Sequence, residues 1–102
     1  MKFKVKTIHD EFVPVEVVEA FPILEMPDPL TLGSLLGLMY RNPIDRLTLT
    51  RPGTGEFDFP CYLKIDFCCW PSEMFFCTVE VLNWLMDQRA DDTRHDWRKV
   101  GF

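Results

Sequence analysis

Residues 61–88 read CYLKIDFCCWPSEMFFCTVEVLNWLMDQ, and the change of period along this stretch decides the fold. Cys61, Leu63, Ile65 and Phe67 alternate with Tyr62, Lys64, Asp66 and Cys68. A period of two describes a strand with one buried and one wet face. Trp70-Pro71-Ser72 interrupts the run, because proline lacks an N–H and restricts the residue before it. A second apolar run, Met74 to Cys77, follows, and from Thr78 the period becomes helical. Thr78 is the expected N-cap, and Glu80 lies in the first turn, where a negative charge meets the positive helix end. Val81, Leu82, Leu85 and Met86 then form an apolar stripe opposite Glu80, Asn83, Asp87 and Gln88. Strand, turn, strand and covering helix make one packing unit.

Moving outward toward the N-terminus, residues 45–50 (DRLTLT) predict a strand with Leu47 and Leu49 inward. Arg51-Pro52-Gly53-Thr54-Gly55 has the residues a turn needs, and a strand follows it, so it does not match a phosphate-binding loop. Asp28-Pro29 is expected to open a helix, Asp as N-cap and Pro at N1, that runs through LTLGSLLGLMYRN and stops near Asn42-Pro43. Leu32, Leu35, Leu36 and Met39 give its apolar stripe. Gly33 and Gly37, on one helix face, are expected to allow close packing on the sheet, with a dimer contact as the alternative. Pro22, Pro27 and Pro29 mark residues 21–29 as an extended connection.

Residues 2–8 (KFKVKTI) set Phe3, Val5 and Thr7 against Lys2, Lys4 and Lys6, a half-buried strand whose lysines discourage edge pairing. A short turn at His9-Asp10-Glu11 leads into a second strand, Phe12 to Val18, and Pro14 places that strand at an edge or a bulge. From about residue 89 the chain is densely charged, with Trp97, Val100 and Phe102 its large apolar residues. The expected fold is a single α+β domain over residues 1–102: an antiparallel sheet of four or five strands with two helices on one face, in the order β-β-α-β-β-(β)-α. The other face would carry Lys2, Lys4, Lys6, Lys64 and Asp66.

Hydrophobic content of 47% with 26% charged residues excludes a disordered chain. No run of eighteen apolar residues suggests a transmembrane helix, and the N-terminus has no apolar signal region, so a cytoplasmic protein is expected. The net charge of −5 argues against direct binding of nucleic acid, which needs a basic patch. Between Lys6 and Arg41 there is no Lys or Arg, while Asp10, Glu11, Glu16, Glu19, Glu25 and Asp28 fall there. This predicts an acidic side suited to a partner with a basic surface, against the plainer reading of a solvated face.

Cys61, Cys68, Cys69 and Cys77 are spaced unlike paired zinc ligands and are expected as reduced thiols. His9 and His95 sit in no nucleophile–base pattern, and Asp10-Glu11 and Asp91-Asp92 need not converge on one site, so no catalytic residue, metal or cofactor is expected. Among the aromatic residues, Tyr40, Trp70 and Trp97 are placed for exposure and contact with a partner. The candidate partner-binding residues are therefore Glu16, Glu19, Glu25, Asp28, Tyr40, Trp70 and Trp97.

In size and in its acidic, motif-free character the chain resembles the small inhibitor proteins of phages and mobile elements, such as anti-CRISPR proteins. The resemblance carries over no motif and no residue. It implies an inhibitor of a nucleic-acid-handling protein, whose acidic side imitates phosphates and blocks a basic groove. The alternatives are a structural or adaptor subunit, self-associating through the Pro14 strand or the glycine face of the first helix, and, more distantly, a small enzyme. A monomer or a homodimer is expected.

Overall fold

Eight elements follow one another in the computed structural model, which describes residues 2–20, 27–52 and 61–90. They are β1 (Lys2–Lys6), β2 (Phe12–Ala20), β3 (Pro29–Leu30), α1 (Leu32–Arg41), β4 (Ile44–Pro52), β5 (Tyr62–Phe67), β6 (Glu73–Cys77) and α2 (Val79–Asp87). The strands form one six-stranded sheet in the order β1-β2-β4-β5-β6-β3. The α+β class and the two helices match the sequence reading, but the sheet is mixed. β2 pairs with β4 in parallel, as does β3 with β6, and the other neighbours are antiparallel.

Each strand turns its alternate apolar residues to the same side. Phe3, Val5, Val13, Val15, Leu47, Leu49, Leu63 and Ile65 are buried there against Leu35 and Met39 of α1 and Val81 and Leu85 of α2. Both helices therefore cover one face, as expected. Lys2, Lys4, Lys6, Lys64 and Asp66 have the opposite parity and lie on the other face.

Three expectations are corrected. The first is the start of α1. Its N-cap is Thr31, whose side chain accepts from the Ser34 N–H at 3.1 Å. Pro29 and Leu30 are used instead as the edge strand β3, where Leu30 is fully buried and the Asp28 carbonyl accepts from Phe76 N at 3.0 Å. The second is Pro14, which lies in an inner strand. Lys4, its register partner, directs its carbonyl away from β2 to Ala90 N, so the Pro14 nitrogen points toward β4. Pairing with β4 begins only at Val15, so the missing donor falls just before that ladder starts. The third is the glycine pair. Among the described residues, a Cβ built on Gly33 or Gly37 meets nothing within 4 Å, so neither glycine serves close packing on the sheet.

The outer edge of β1 is also closed. Lys6 N donates to Gln88 O at 2.9 Å and Ala90 N donates to Lys4 O at 2.7 Å, with Val5 bridged to Arg89. Arg89 lies over the Phe3 ring, its guanidinium carbon 4.6 Å from the centroid. Thr78 is the N-cap of α2, as the sequence indicates. Its hydroxyl bonds to Leu30 O at 2.7 Å rather than to the helix, and so ties α2 to β3.

The cysteines divide two and two. Cys61 and Cys77 are buried and joined by a 2.8 Å bond from Cys77 N to Cys61 O, while Cys68 and Cys69 lie exposed in the β5–β6 turn. Burial raises the Cys61 thiol pKa and pushes Cys77 up to about 12. Both stay protonated at neutral pH, and the thiolate is the reactive form.

Three outcomes follow from this packing. Leu85→Ala removes a fully buried side chain and is expected to cost about 2–5 kcal/mol, read from urea unfolding. Gly33→Ala and Gly37→Ala fill open space and should each stabilise the helix by about 0.5–1 kcal/mol in the same assay. A thiol reagent should label Cys68 and Cys69 in the folded protein and reach Cys61 and Cys77 only on unfolding, as peptide mapping after timed labelling would show.

Candidate interaction surface

Three chain reversals meet at one end of the sheet: the β1–β2 turn, the passage from α1 into β4, and the β5–β6 turn. The β1–β2 turn is built on Asp10. Its N–H donates to Thr7 O at 3.1 Å, its φ is 58°, and Thr7 N donates to Glu11 O at 2.8 Å. This is a three-residue hairpin loop closed by a left-handed residue, a conformation that Asp tolerates better than most side chains. It leaves Ile8 and His9 at the tip. His9 N is within 3.3 Å of the Thr7 hydroxyl, and the His9 ring stacks on Tyr40 with centroids 5.8 Å apart. Tyr40 is the penultimate residue of α1, so the stack joins the hairpin tip to the end of the helix. The β5–β6 turn joins the same end through Cys68 N, which donates to Pro43 O at 3.1 Å.

Large apolar side chains are exposed here. Tyr40 is 74% exposed, Trp70 63%, Phe12 51% and Ile8 45%. These values decide against reading Tyr40 and Trp70 as core residues, since large rings normally bury most of their surface. Glu11, Asp45 and Glu73 lie exposed around them and have no ion pair among the described residues. Asp10 is held by Lys6 at 3.3 Å, and both partners are well exposed, which makes the contact a weak one. Arg41 and Arg46 are the other cations near this end, and Arg46 is bound to Asp66 at 3.2 Å, so the carboxylates still outnumber the cations.

The carboxylates picked out in the sequence do not gather in this way. Glu16 lies half-buried on the open face of the sheet, opposite Lys2 in register. Glu19 is near the far end of β2, where Arg51 binds it with Nη2–Oε1 at 2.7 Å. Asp28 is exposed ahead of β3, on the opposite edge of the sheet from β1. Glu25 and Trp97 lie outside the described residues. Among the described members of the set, Tyr40 and Trp70 share this end of the molecule. Ile8, Phe12, Glu11, Asp45 and Glu73 join them without having been singled out. An isoleucine in a tight turn and a phenylalanine opening a strand on its wet side were the available signals.

A concavity of about 300 Å³ opens at the other end, under α2, between Val17, Leu49, Cys61, Leu82 and Met86. Its walls are mainly apolar, with Arg51 and Asn83 also lining it, and burial keeps the Cys61 thiol protonated at neutral pH. No helix among the described residues is long and apolar enough to cross a membrane. Comparison with protein-family models, with curated proteins and with solved structures finds no match to this chain.

Proposed function

We propose that this protein is a binding module that occupies the surface of a partner protein, in the manner of a small phage inhibitor of the anti-CRISPR type. The observation that carries the reading is the grouping of Ile8, Phe12, Tyr40 and Trp70 at one end, bordered by Glu11, Asp45 and Glu73. Exposed aromatic residues are the commonest anchors of protein interfaces, because a rigid ring buries much surface at little entropic cost. A rim of carboxylates steers a basic partner and opposes an acidic one. The partner we propose is a protein that handles nucleic acid and carries a basic groove, which the module blocks without itself touching nucleic acid. The module acts in the cytoplasm and needs neither cofactor nor catalysis.

A second reading, an adaptor that self-associates through α1, is favoured by one observation. Gly33 and Gly37 border a shallow groove with Leu38, Arg41 and Phe75, and packing among the described residues gives no reason for either glycine. Two helical glycines cost about 2 kcal/mol together, which a close-approaching partner helix would offset.

Affinity capture from nuclease-treated extract, followed by binding measurements with the purified partner, separates the two readings. A basic nucleic-acid-binding protein is expected. Tyr40→Ala with Trp70→Ala should weaken its binding by about 2 kcal/mol or more while the circular dichroism spectrum is unchanged. Reversing Glu11, Asp45 and Glu73 to Lys should slow association and flatten its salt dependence. Undiminished binding by both variants overturns the proposed surface, and concentration-dependent self-association with no other partner favours the second reading.

A further inference from the structure

The fold treats its cysteines in two ways. Cys61, just ahead of β5, and Cys77, at the end of β6, are buried in the core. Cys68 and Cys69 are adjacent in sequence, and both are exposed. Exposure is unusual for free cysteine, which is among the most buried residue types. Within a strand, neighbouring side chains point to opposite faces, so two adjacent thiols there could not meet. β5 ends at Phe67, and Cys68 to Trp70 form a bend. The alternation thus lapses at the residues where the two thiols stand.

The bend is fastened on both sides. Before it, Cys68 N donates to Pro43 O at 3.1 Å. After it, the Ser72 hydroxyl donates to the Asp66 carboxylate, which Arg46 holds at 3.2 Å. Cys69, Trp70 and Pro71 lie between these ties. Proline fixes its own φ and restricts the residue before it, which here is Trp70. A change of shape at Cys68–Cys69 therefore has little slack to absorb it and must shift Trp70, whose ring stands in solvent.

We propose that Cys68 and Cys69 are a reversible oxidation site for hydroperoxides, closing to a vicinal disulfide that displaces Trp70. One thiol attacks a peroxide oxygen and becomes a sulfenic acid; the O–O bond breaks, and the thiol's proton leaves with the displaced oxygen as alcohol or water. The second thiol attacks the sulfenic sulfur, the S–S bond forms, and the sulfenic hydroxyl leaves with that thiol's proton as water. The two thiols lose two hydrogens and two electrons, and the peroxide accepts both electrons. Adjacency puts the resolving thiol beside the sulfenic acid, before a second peroxide can carry it to sulfinic acid. Adjacent Cα atoms are about 3.8 Å apart, below the roughly 4.4–6.8 Å usual for disulfides, so the bond is strained and easily reduced. Strained, exposed disulfides are the labile and regulatory kind. Cys61 and Cys77 do not compete, because burial hides both from the oxidant. Any effect on binding rests on the partner surface proposed above, whereas the bond and the shift of Trp70 do not.

The test is to treat the reduced full chain with hydrogen peroxide and follow it by intact mass, peptide mapping and amide chemical shifts. The chain should lose two hydrogens, mapped to the Cys68–Cys69 peptide, and regain them with dithiothreitol. Shifts should move from Cys68 to Ser72, together with the Trp70 indole signal, and stay near their reduced values at Cys61 and Cys77. Cys69→Ser, a change at an exposed turn position, should stop at a sulfenic acid on Cys68 that dimedone traps. No reaction, a disulfide mapped to Cys61–Cys77 or between two chains, or passage straight to sulfinic acid would each overturn the proposal. So would an unmoved Trp70 signal, or loss of two hydrogens by the Cys69→Ser variant. Every readout uses the isolated protein, so failure of the proposed partner surface would leave these results standing.

Discussion

Val15 to Ala20 of β2 pair in parallel register with Leu47 to Pro52 of β4, and a parallel pair cannot be joined by a tight turn. The chain must leave the end of β2 and return to the start of β4, and it uses α1 for the return. That helix has to lie against the sheet to bury Leu35 and Met39, which commits one face to helices. β5 and β6 then add in antiparallel fashion beyond β4, and α2 lies on the same side because Val81 and Leu85 have the same core to fill. β3 is laid down on the outward journey and takes the far edge beside β6, where the Thr78 hydroxyl fastens it. The central pairing thus fixes which side is dry, which is wet, and which turns share an end.

The sequence shows faces more readily than neighbours. Alternation in residues 2–6 and 62–67 assigns the side chains to the two sides of the sheet, although Tyr62, expected on the wet side, is buried, and the stripe from Val81 to Met86 places α2. Alternation says nothing about the direction of the strand alongside, so the parallel pairs were invisible. Pro29-Leu30 departs from the expectation for a related reason. Two residues have no period, and Asp28-Pro29 satisfies the local rule for a helix start as well as Thr31 does. Tertiary demand decided between them, because Leu30 is needed in the core and Thr31 can cap. The packing rule for Gly33 and Gly37 holds when something lies against them, and among the described residues nothing does.

Charge was the least legible property. A run of carboxylates with no intervening lysine looks uncompensated along the chain, yet strand pairing sets Lys2 opposite Glu16 and brings Arg51 to Glu19. Conversely, Lys2, Lys4, Lys6, Arg46 and Lys64 are spread over more than half the sequence and meet on one surface. The aromatic end was half legible. Tyr40 and Trp70 were recognisable as rings near breaks in structure, whereas Ile8 and Phe12 join them only because three reversals coincide in space.

The contacts at the two edges of the sheet also bear on the order in which the protein can be made. During synthesis β3 emerges early, but its partner residues Phe76 and Cys77 emerge far later, and the outer bonds of β1 await Gln88 and Ala90. A nascent chain therefore cannot complete its sheet from the front, and long-range pairings of this kind make folding slow. Until Gln88 and Ala90 have left the ribosome, the outer edge of β1 presents unpaired backbone to its surroundings, the condition in which partly made chains associate with one another. A chain arrested before residue 88 would carry most of the core-forming residues and still lack the segment that closes the β1 edge.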